Sequence, residues 1–309
     1  MSWTHRIGGK LNLRDLHVFL AVVDHGNMAK AAQALAISRP VVSKSIAELE
    51  QSLGVQLLDR SKQGVRPTPF GRVLERRGLA IFDELRQSVD ELRFMSDPGA
   101  GEVRIGCTEV MAAGLVSTAI DQMSARFPRL IFQMEIGSAG TRLELLRNRR
   151  CEIVIGRHRA TDVESELNVE PLFYERIFIA VGAKSRLLRK RSVELSDLSR
   201  EAWILTRDEL SDHSPLSEAY QIAKLSRPTP RVVSDSLNLR RGLLPTGRFV
   251  STIPSSILTF APPVEMKPLR IALPAWKFPI AMISMKNVSL TPAAHLFAEC
   301  IRSLSRKVK

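Results

Sequence analysis

The chain has 309 residues, of which 44% are hydrophobic, 25% charged and only 6% aromatic, enough to bury the cores of two or more globular domains. No run of about 18 apolar residues occurs and residues 1–10 lack the apolar stretch of a signal peptide, which argues against a membrane or export route and for the cytoplasm. A net charge of +13 and a pI near 10.2 suit a polyanionic partner, but charge alone does not place a site: residues 1–72 carry ten Lys and Arg against five Asp and Glu, residues 73–100 four against six, and the rest of the excess lies beyond.

Leu16, Phe19, Leu20 and Val23 fall at i, i+3, i+4 and i+7, so residues 13–25 read as an amphipathic helix closed by Gly26 and Asn27. The Ala-rich segment "MAKAAQALA", residues 28–36, predicts a second helix that a neighbour can approach closely. Ser38 is placed to cap a third helix with Pro40 in its first turn, Val42, Ile46, Leu49 and Leu53 as one apolar stripe, and Gly54 as the stop. Arg39, Ser43, Lys44 and Ala47 occupy its other face. A helix that enters the major groove leads with such a turn, because free N–H groups and the positive dipole end meet phosphates while short side chains admit the backbone to base edges. An ordinary capped surface helix would read the same way. After it, "VQLLDRSKQGVRPT", residues 55–68, is an apolar segment, a polar turn and a return segment, the pattern of a two-stranded wing carrying Arg60, Lys62 and Arg66; Asp59 beside Arg60 also permits a local ion pair.

The whole stretch "GNMAKAAQALAISRPVVSKSIAELEQSLGVQLLDR", residues 26–60, resembles the winged helix-turn-helix of LysR-type transcriptional regulators. Asn27, Arg39, Val41 and Leu58 depart from the family pattern, which has Ser, Gln, Ala and Phe there. Arg39 is the consequential change, since Gln prefers adenine and Arg guanine. The resemblance implies a regulator that binds double-stranded DNA through Ser38, Arg39, Pro40, Ser43, Lys44, Arg60, Lys62 and Arg66, answers to a small-molecule effector, assembles as a homodimer or homotetramer, and works with RNA polymerase.

Thr68, Pro69 and Gly71 match the family's Thr-x-x-Gly entry to a long linker helix, in which Leu74, Ile81, Leu85, Val89 and Leu92 recur at near seven- and four-residue spacings, as a dimerisation stripe would. "SDPGAGE", residues 96–102, has the composition of a domain linker. From Val103 the pattern alternates between strand and helix: "VRIGC", a helix over 110–127, "LIFQMEI", a helix over 141–149, "CEIVIG", then "RIFIAVG", "AWILT", "RVVS" and "RFVSTIP". The expected fold is therefore α/β overall, an N-terminal all-α winged helix-turn-helix with a long linker helix followed by a two-lobed domain that resembles the periplasmic-binding-protein-like effector domain of the family. The expected boundaries are 1–68, 69–95 and 101–309, with lobe 1 over about 101–165 and 266–309 and lobe 2 over about 166–265, the crossings placed to within several residues. Glu152, where the family usually has Asp, and "GRFVSTIP" are the clearest later matches.

Effector candidates follow from position. Thr108 ends the first strand of this half just before a helix, and Gly137, Ser138 and Thr141 repeat that arrangement after the second; Ser138 matches a position that lines the effector cleft in the family. Thr206, Arg207, Ser251 and Thr252 are candidates from the second lobe. The expected ligand is small, polar and anionic, although Glu109 beside Thr108 would repel an anion unless it points away or selects a cationic group. Each Ser or Thr has a plain alternative as a helix cap, and Arg207 as a partner of Asp208. No cofactor, metal or catalytic residue is expected: the six histidines show no HExxH spacing, no P-loop, GxGxxG after a strand or GxSxG occurs, and Cys107, Cys151 and Cys300, far apart and without CxxC, read as buried free thiols. Two other readings stay open, a small-molecule enzyme on a binding-protein-like fold and a nonspecific DNA-packing protein.

Overall fold

The computed structural model describes residues 11–61, 64–158, 165–261, 266–274 and 279–308. They divide into two compact units, Met1–Val89 with Arg147–Arg149, and Asp90–Leu146 with Arg150–Lys309.

In the first unit the Asn12 side chain accepts the Arg14 N–H and starts helix α1 (Leu13–His25). Gly26, in the left-handed region at φ 58°, ends it, and Asn27 at once accepts the N–H groups of Ala29 and Lys30 to start α2 (Met28–Ala34). Helix α3 (Arg39–Leu53) ends at Gly54. Leu16, Phe19, Ala31, Val42, Ile46 and Leu49 are buried in one core as the periodicity predicts, but Val18 and Val22 are also buried while Leu20 and Val23 stand at its margin.

Strands β1 (Leu58–Ser61) and β2 (Gly64–Pro67) pair antiparallel as the wing, with Asp59 opposite Arg66 and Arg60 opposite Val65. Two contacts fix it. The Glu50 carboxylate accepts the N–H groups of Leu57 (2.7 Å) and Leu58 (3.2 Å), and the Gly26 carbonyl accepts the Val65 N–H (2.9 Å). The linker helix α4 (Pro69–Ser96) begins where Thr68 donates its hydroxyl to the Gln56 carbonyl and accepts the Gly71 N–H. Gly71 is required by proximity: a Cβ there would stand 2.1 Å from the Leu57 carbonyl oxygen.

The first strand after the linker helix is β3 (Ala100–Cys107), so the expected linker shortens to the turn over residues 97–99. One helix, α5, runs through Glu109–Met111, a π-helical turn Ala112–Val116 and Ser117–Arg126, and β4 (Arg129–Ile136), α6 (Ala139–Arg147), β5 (Ile153–Arg157) and β6 (Leu167–Tyr174) follow. Next come β7 (Ile177–Gly182), β8 (Ala202–Leu205), α7 (Pro215–Ile222), β9 (Pro230–Val233), α8 (Leu237–Leu243), β10 (Phe249–Pro254), α9 (Ser255–Phe260), β11 (Met266–Pro268), β12 (Pro279–Met285) and α10 (Pro292–Ser305). The described strands form two five-stranded sheets, β4-β3-β5-β12-β6 in the first lobe and β11-β7-β10-β8-β9 in the second. Strands β4, β3 and β5 are mutually parallel, and one face is covered by α5 and α10 through Met111, Leu115, Phe297 and Ile301 while Leu145 and Leu146 of α6 pack with Val154 on the other.

Both expected crossing points move. Strand β6, assigned above to lobe 2, pairs with β12 from Pro279↔Tyr174 to Met285↔Leu167, so the chain leaves the first lobe after Tyr174 rather than near 165. Strand β11, assigned to lobe 1, pairs with β7, and Leu269, Ile271 and Leu273 still pack in the core of the second lobe, so the return comes after Leu273 rather than near 265. Apolar patterning reveals a strand without revealing its sheet, because the partners are over a hundred residues away in the case of β6 and β12.

Candidate functional site

The DNA-facing candidates sit where the three-helix core presents α3. Ser38, Arg39, Pro40 and Lys44 are exposed, and Lys44 lies 3.7 Å from Glu48 one turn on. Ser38 occupies the N-cap position with extended backbone, but its hydroxyl makes no cap bond; its carbonyl accepts the N–H groups of Val41 and Val42 instead. The hydroxyl is thus left for an outside partner, contrary to the capping role expected of it. Ser43 is only half-exposed and its hydroxyl is directed at the Met28 sulfur, 3.7 Å away, because that position lies on the margin facing α2. Arg60 and Arg66 are exposed on the wing, and among the described residues neither has an ion-pair partner, so the Asp59–Arg60 pair allowed by the sequence does not form. Lys62 lies outside the described residues. Glu50, absent from the candidates, holds the wing at its angle; its place in the Leu-Glu pair before Gly54 was the available signal.

On α4, Ile81, Leu85 (45% exposed), Val89 (46%) and Leu92 (67%) lie open along the helix. Leu74 does not join them: with Phe82 it packs on the core of α1 to α3, to which Gly78 also brings α4 close. The apolar spacing was continuous, but its first member faces inward.

In the second unit, the carboxyl ends of β3, β4 and β5 come together. Thr108 caps α5, its hydroxyl oxygen accepting the Met111 N–H (3.2 Å), and Ser138 caps α6 with its hydroxyl 2.9 Å from that of Thr141. The Gly137 N–H donates to the Cys107 carbonyl, drawing the ends of β3 and β4 together. Ser138 and Thr141 are exposed and Thr108 half-buried. These three candidates share one place at the strand ends, where open α/β sheets take ligands.

The other candidates do not. Glu109 turns away, its two carboxylate oxygens accepting the N–H groups of Leu237 (2.9 Å) and Asn238 (3.2 Å) at the start of α8 in the opposite lobe. Ser251 is fully buried and donates to the Ile204 carbonyl (2.7 Å); Thr252, also buried, bonds to Glu209 and accepts from Arg240. Strand β10 is central in its sheet, so hydroxyls on it are satisfied inside the lobe. Thr206 is spent in a reciprocal cap with Glu209, its hydroxyl accepting the Glu209 N–H and its own N–H donating to that carboxylate. Arg207 is exposed, and Asp208 pairs not with it but with Arg157, across from the other lobe at 3.0 Å.

Two guanidinium groups at the strand ends were missing from the candidates. Arg142, 3% exposed, donates from Nη1 to the Gly137 carbonyl (3.0 Å), lies against Gly156, and has no hydrogen-bond partner for its buried Nε among the described residues. Burial lowers its pKa, the Cys107 thiol opposes that, and the charge of Arg157 reinforces it. Arg157, the last residue of β5, carries charge at the carboxyl end of an otherwise apolar strand, a signal the sequence displayed. At the crossover, buried Glu175 accepts the Ser256 N–H and the hydroxyls of Ser255 and Ser256, and desolvation raises its pKa against those bonds. Burial pushes the thiols of Cys107 and Cys151 up to about 11 and about 12, which keeps them protonated; Cys300 is half-buried rather than enclosed. Among the described residues no group of three or more His, Cys, Asp or Glu is placed to hold a metal ion, and no helix is long and apolar enough to cross a membrane.

With this geometry in view, comparison with known proteins is specific. The model for bacterial regulatory helix-turn-helix proteins of the lysR family matches residues 13–72, and that for the LysR substrate binding domain matches residues 96–306. The transcriptional regulator TdcA of Escherichia coli (strain K12) is 29% identical over 292 residues, 94% of this chain and 92% of its own. A full-length OxyR from Pseudomonas aeruginosa aligns with a TM-score of 0.65 at 21% identity, covering 97% of this chain and 98% of that one. CbnR, a LysR family transcriptional regulator, aligns at 0.64 and 21% identity, covering 97% and 100%. At those identities the two structures bear on the fold.

Proposed function

Because this chain belongs to the LysR family of DNA-binding transcriptional regulators, we propose that it reads an interrupted inverted repeat as a symmetric oligomer and responds to a small anionic effector seated at the carboxyl ends of β3, β4 and β5. The observation that carries the anionic reading is the orientation of Glu109. A carboxylate beside Thr108 was the objection to an anion at that point, and both its oxygens are occupied by backbone N–H groups of α8. Among the described residues the strand ends then offer the hydroxyls of Thr108, Ser138 and Thr141 and the guanidinium groups of Arg142 and Arg157, the latter paired with the exposed Asp208 of the other lobe. Neutral hydroxyls orient a polar ligand, and the cations select its charge.

The DNA reading rests on the Ser38 hydroxyl, which makes no cap bond, the exposed Arg39, and the exposed Arg60 and Arg66, which have no ion-pair partner among the described residues. Arg39→Ala should relax preference at one base pair by about 1–3 kcal/mol, whereas Arg60→Ala should weaken all sequences evenly and lower the salt slope by about 1. Equal affinity of the wild type for its own upstream region and for random duplex, at one salt concentration, would refute the sequence-reading part. For the effector, calorimetric titration of the full chain with carboxylates, sugars and amines tests the charge. A carboxylate should bind and lose affinity in Thr108→Val and Ser138→Ala; affinity unchanged in both places the ligand elsewhere. Assembly through Ile81, Leu85, Val89 and Leu92, and contact with RNA polymerase, complete the reading.

A further inference from the structure

Arg142 is an unusual residue to find beneath these strand ends. It is a guanidinium with 3% of its surface exposed; among the described residues its enclosed Nε has no hydrogen-bond partner and its one side-chain hydrogen bond goes to the Gly137 carbonyl, just beyond the end of β4. The group also lies against Gly156 near the end of β5, so closely that a Cβ there would stand 2.7 Å from Nη2, and it is near enough to Cys107, the last residue of β3, for the two to interact electrostatically. It therefore spans the carboxyl ends of three parallel strands. Buried charges are ordinarily matched by a carboxylate, and among the described residues no carboxylate pairs with Arg142. Its charged neighbour is another cation, Arg157, and that residue is held by Asp208, an exposed carboxylate reaching over from the second lobe.

We propose that Arg142, with Arg157 beside it, recognises the anionic group of the effector, and that this group takes the place at Arg157 now held by Asp208. Arg142 is then the residue that sets specificity for negative charge, and Asp208 is an internal stand-in that an anion displaces on entry. Exchange of a carboxylate from the opposite lobe for one carried by the ligand couples occupancy to the contact between lobes, since the Arg157–Asp208 pair is one of the bonds joining them. This inference rests on the anionic reading of the cleft proposed above and adds to it the residues that read the charge.

The test uses the full chain and two probes, sodium succinate and sodium sulfate, titrated calorimetrically against sodium chloride at matched ionic strength. The wild type should bind at least one of the dianions in excess of chloride. Arg142→Gln should weaken it at least tenfold, and Arg142→Lys, which keeps the charge but loses the planar fork and Nε, by an intermediate factor. Asp208→Asn, an exposed change that leaves the core intact, should tighten the dianion about threefold or more by removing the competitor. Dianion binding that is unchanged in both Arg142→Gln and Asp208→Asn overturns this assignment and leaves the anionic reading standing. No dianion binding beyond chloride overturns both. If Arg142→Gln does not fold, Asp208→Asn decides alone, and unchanged or weaker binding in that variant refutes the exchange at Arg157 and the assignment with it.

Discussion

Glu109 ties the two lobes together, and its removal should be measurable. Its carboxylate accepts two N–H groups, from Leu237 at 2.9 Å and Asn238 at 3.2 Å, at the positive end of α8. A hydrogen bond to a charged group contributes about 1.5–3 kcal/mol, and a charge at a helix terminus about 0.3–1 kcal/mol more. Asn238 is exposed, so water can reach an abandoned N–H, and Ser236 still caps the Leu239 N–H. Those two facts place the loss for Glu109→Ala near the lower end, about 2–3 kcal/mol, and for Glu109→Gln, which keeps one accepting oxygen, about 1 kcal/mol. In a domain of this size that corresponds to a fall of roughly 5–10 °C in Tm for the alanine variant. Thermal unfolding of the full chain followed by calorimetry measures it, and hydrogen exchange should speed up at the amides of Leu237 and Asn238. An alanine variant within about 0.5 kcal/mol of wild type, with exchange at those amides unchanged, would show that the contact does not join the lobes in solution.

Three other outcomes are expected. Gly71→Ala should cost about 3 kcal/mol in denaturant unfolding, because a Cβ cannot share space with the Leu57 carbonyl, and should weaken DNA binding without changing base preference. Leu85→Lys with Val89→Lys should break the oligomer in sedimentation while leaving the fold intact, since both side chains are exposed on the isolated chain; an unchanged oligomer refutes the role given to α4. Glu175 has a folded pKa above the ordinary value of 4.5, so its proton-linked contribution to stability is fully present below about 4.5 and is lost as pH rises through the folded value. Glu175→Gln should therefore flatten the stability profile in that window, read from unfolding midpoints of the two proteins across pH 4 to 8.

The DNA-binding half was largely legible in the chain, because its signals are local. Asn27, Gly26 and Gly54 act within a few residues of themselves, and a 3.6-residue period identifies a core face without knowledge of a partner. Ser38 and Leu74 show the limit even there, since a cap position does not fix where a hydroxyl turns and an apolar stripe does not say which neighbour it meets. In the effector half the decisive partners are remote. Glu109 meets Leu237, Thr252 meets Glu209, and Ser251 meets Ile204, all through folds of the chain that a linear pattern does not carry. Thr108, Ser138 and Thr141 are marked by following strand ends, whereas Arg142, inside the expected helix over 141–149, has no local feature that marks its burial.

Strand β12 occupies the place between β5 and β6 in the first sheet. During synthesis, therefore, β5 and β6 emerge with nothing between them, and their hydrogen-bonding edges stay open until residue 285 has left the ribosome. Another 111 residues, from 174 to 285, must be made in the interval. At ordinary elongation rates that wait is roughly 6–22 s. The second lobe, whose strands lie wholly within that interval, can complete itself first, so the amino-terminal lobe of the pair matures last. Nascent chains halted in this window expose an unpaired edge of buried, apolar strand, the surface that chaperones and premature self-association both seek.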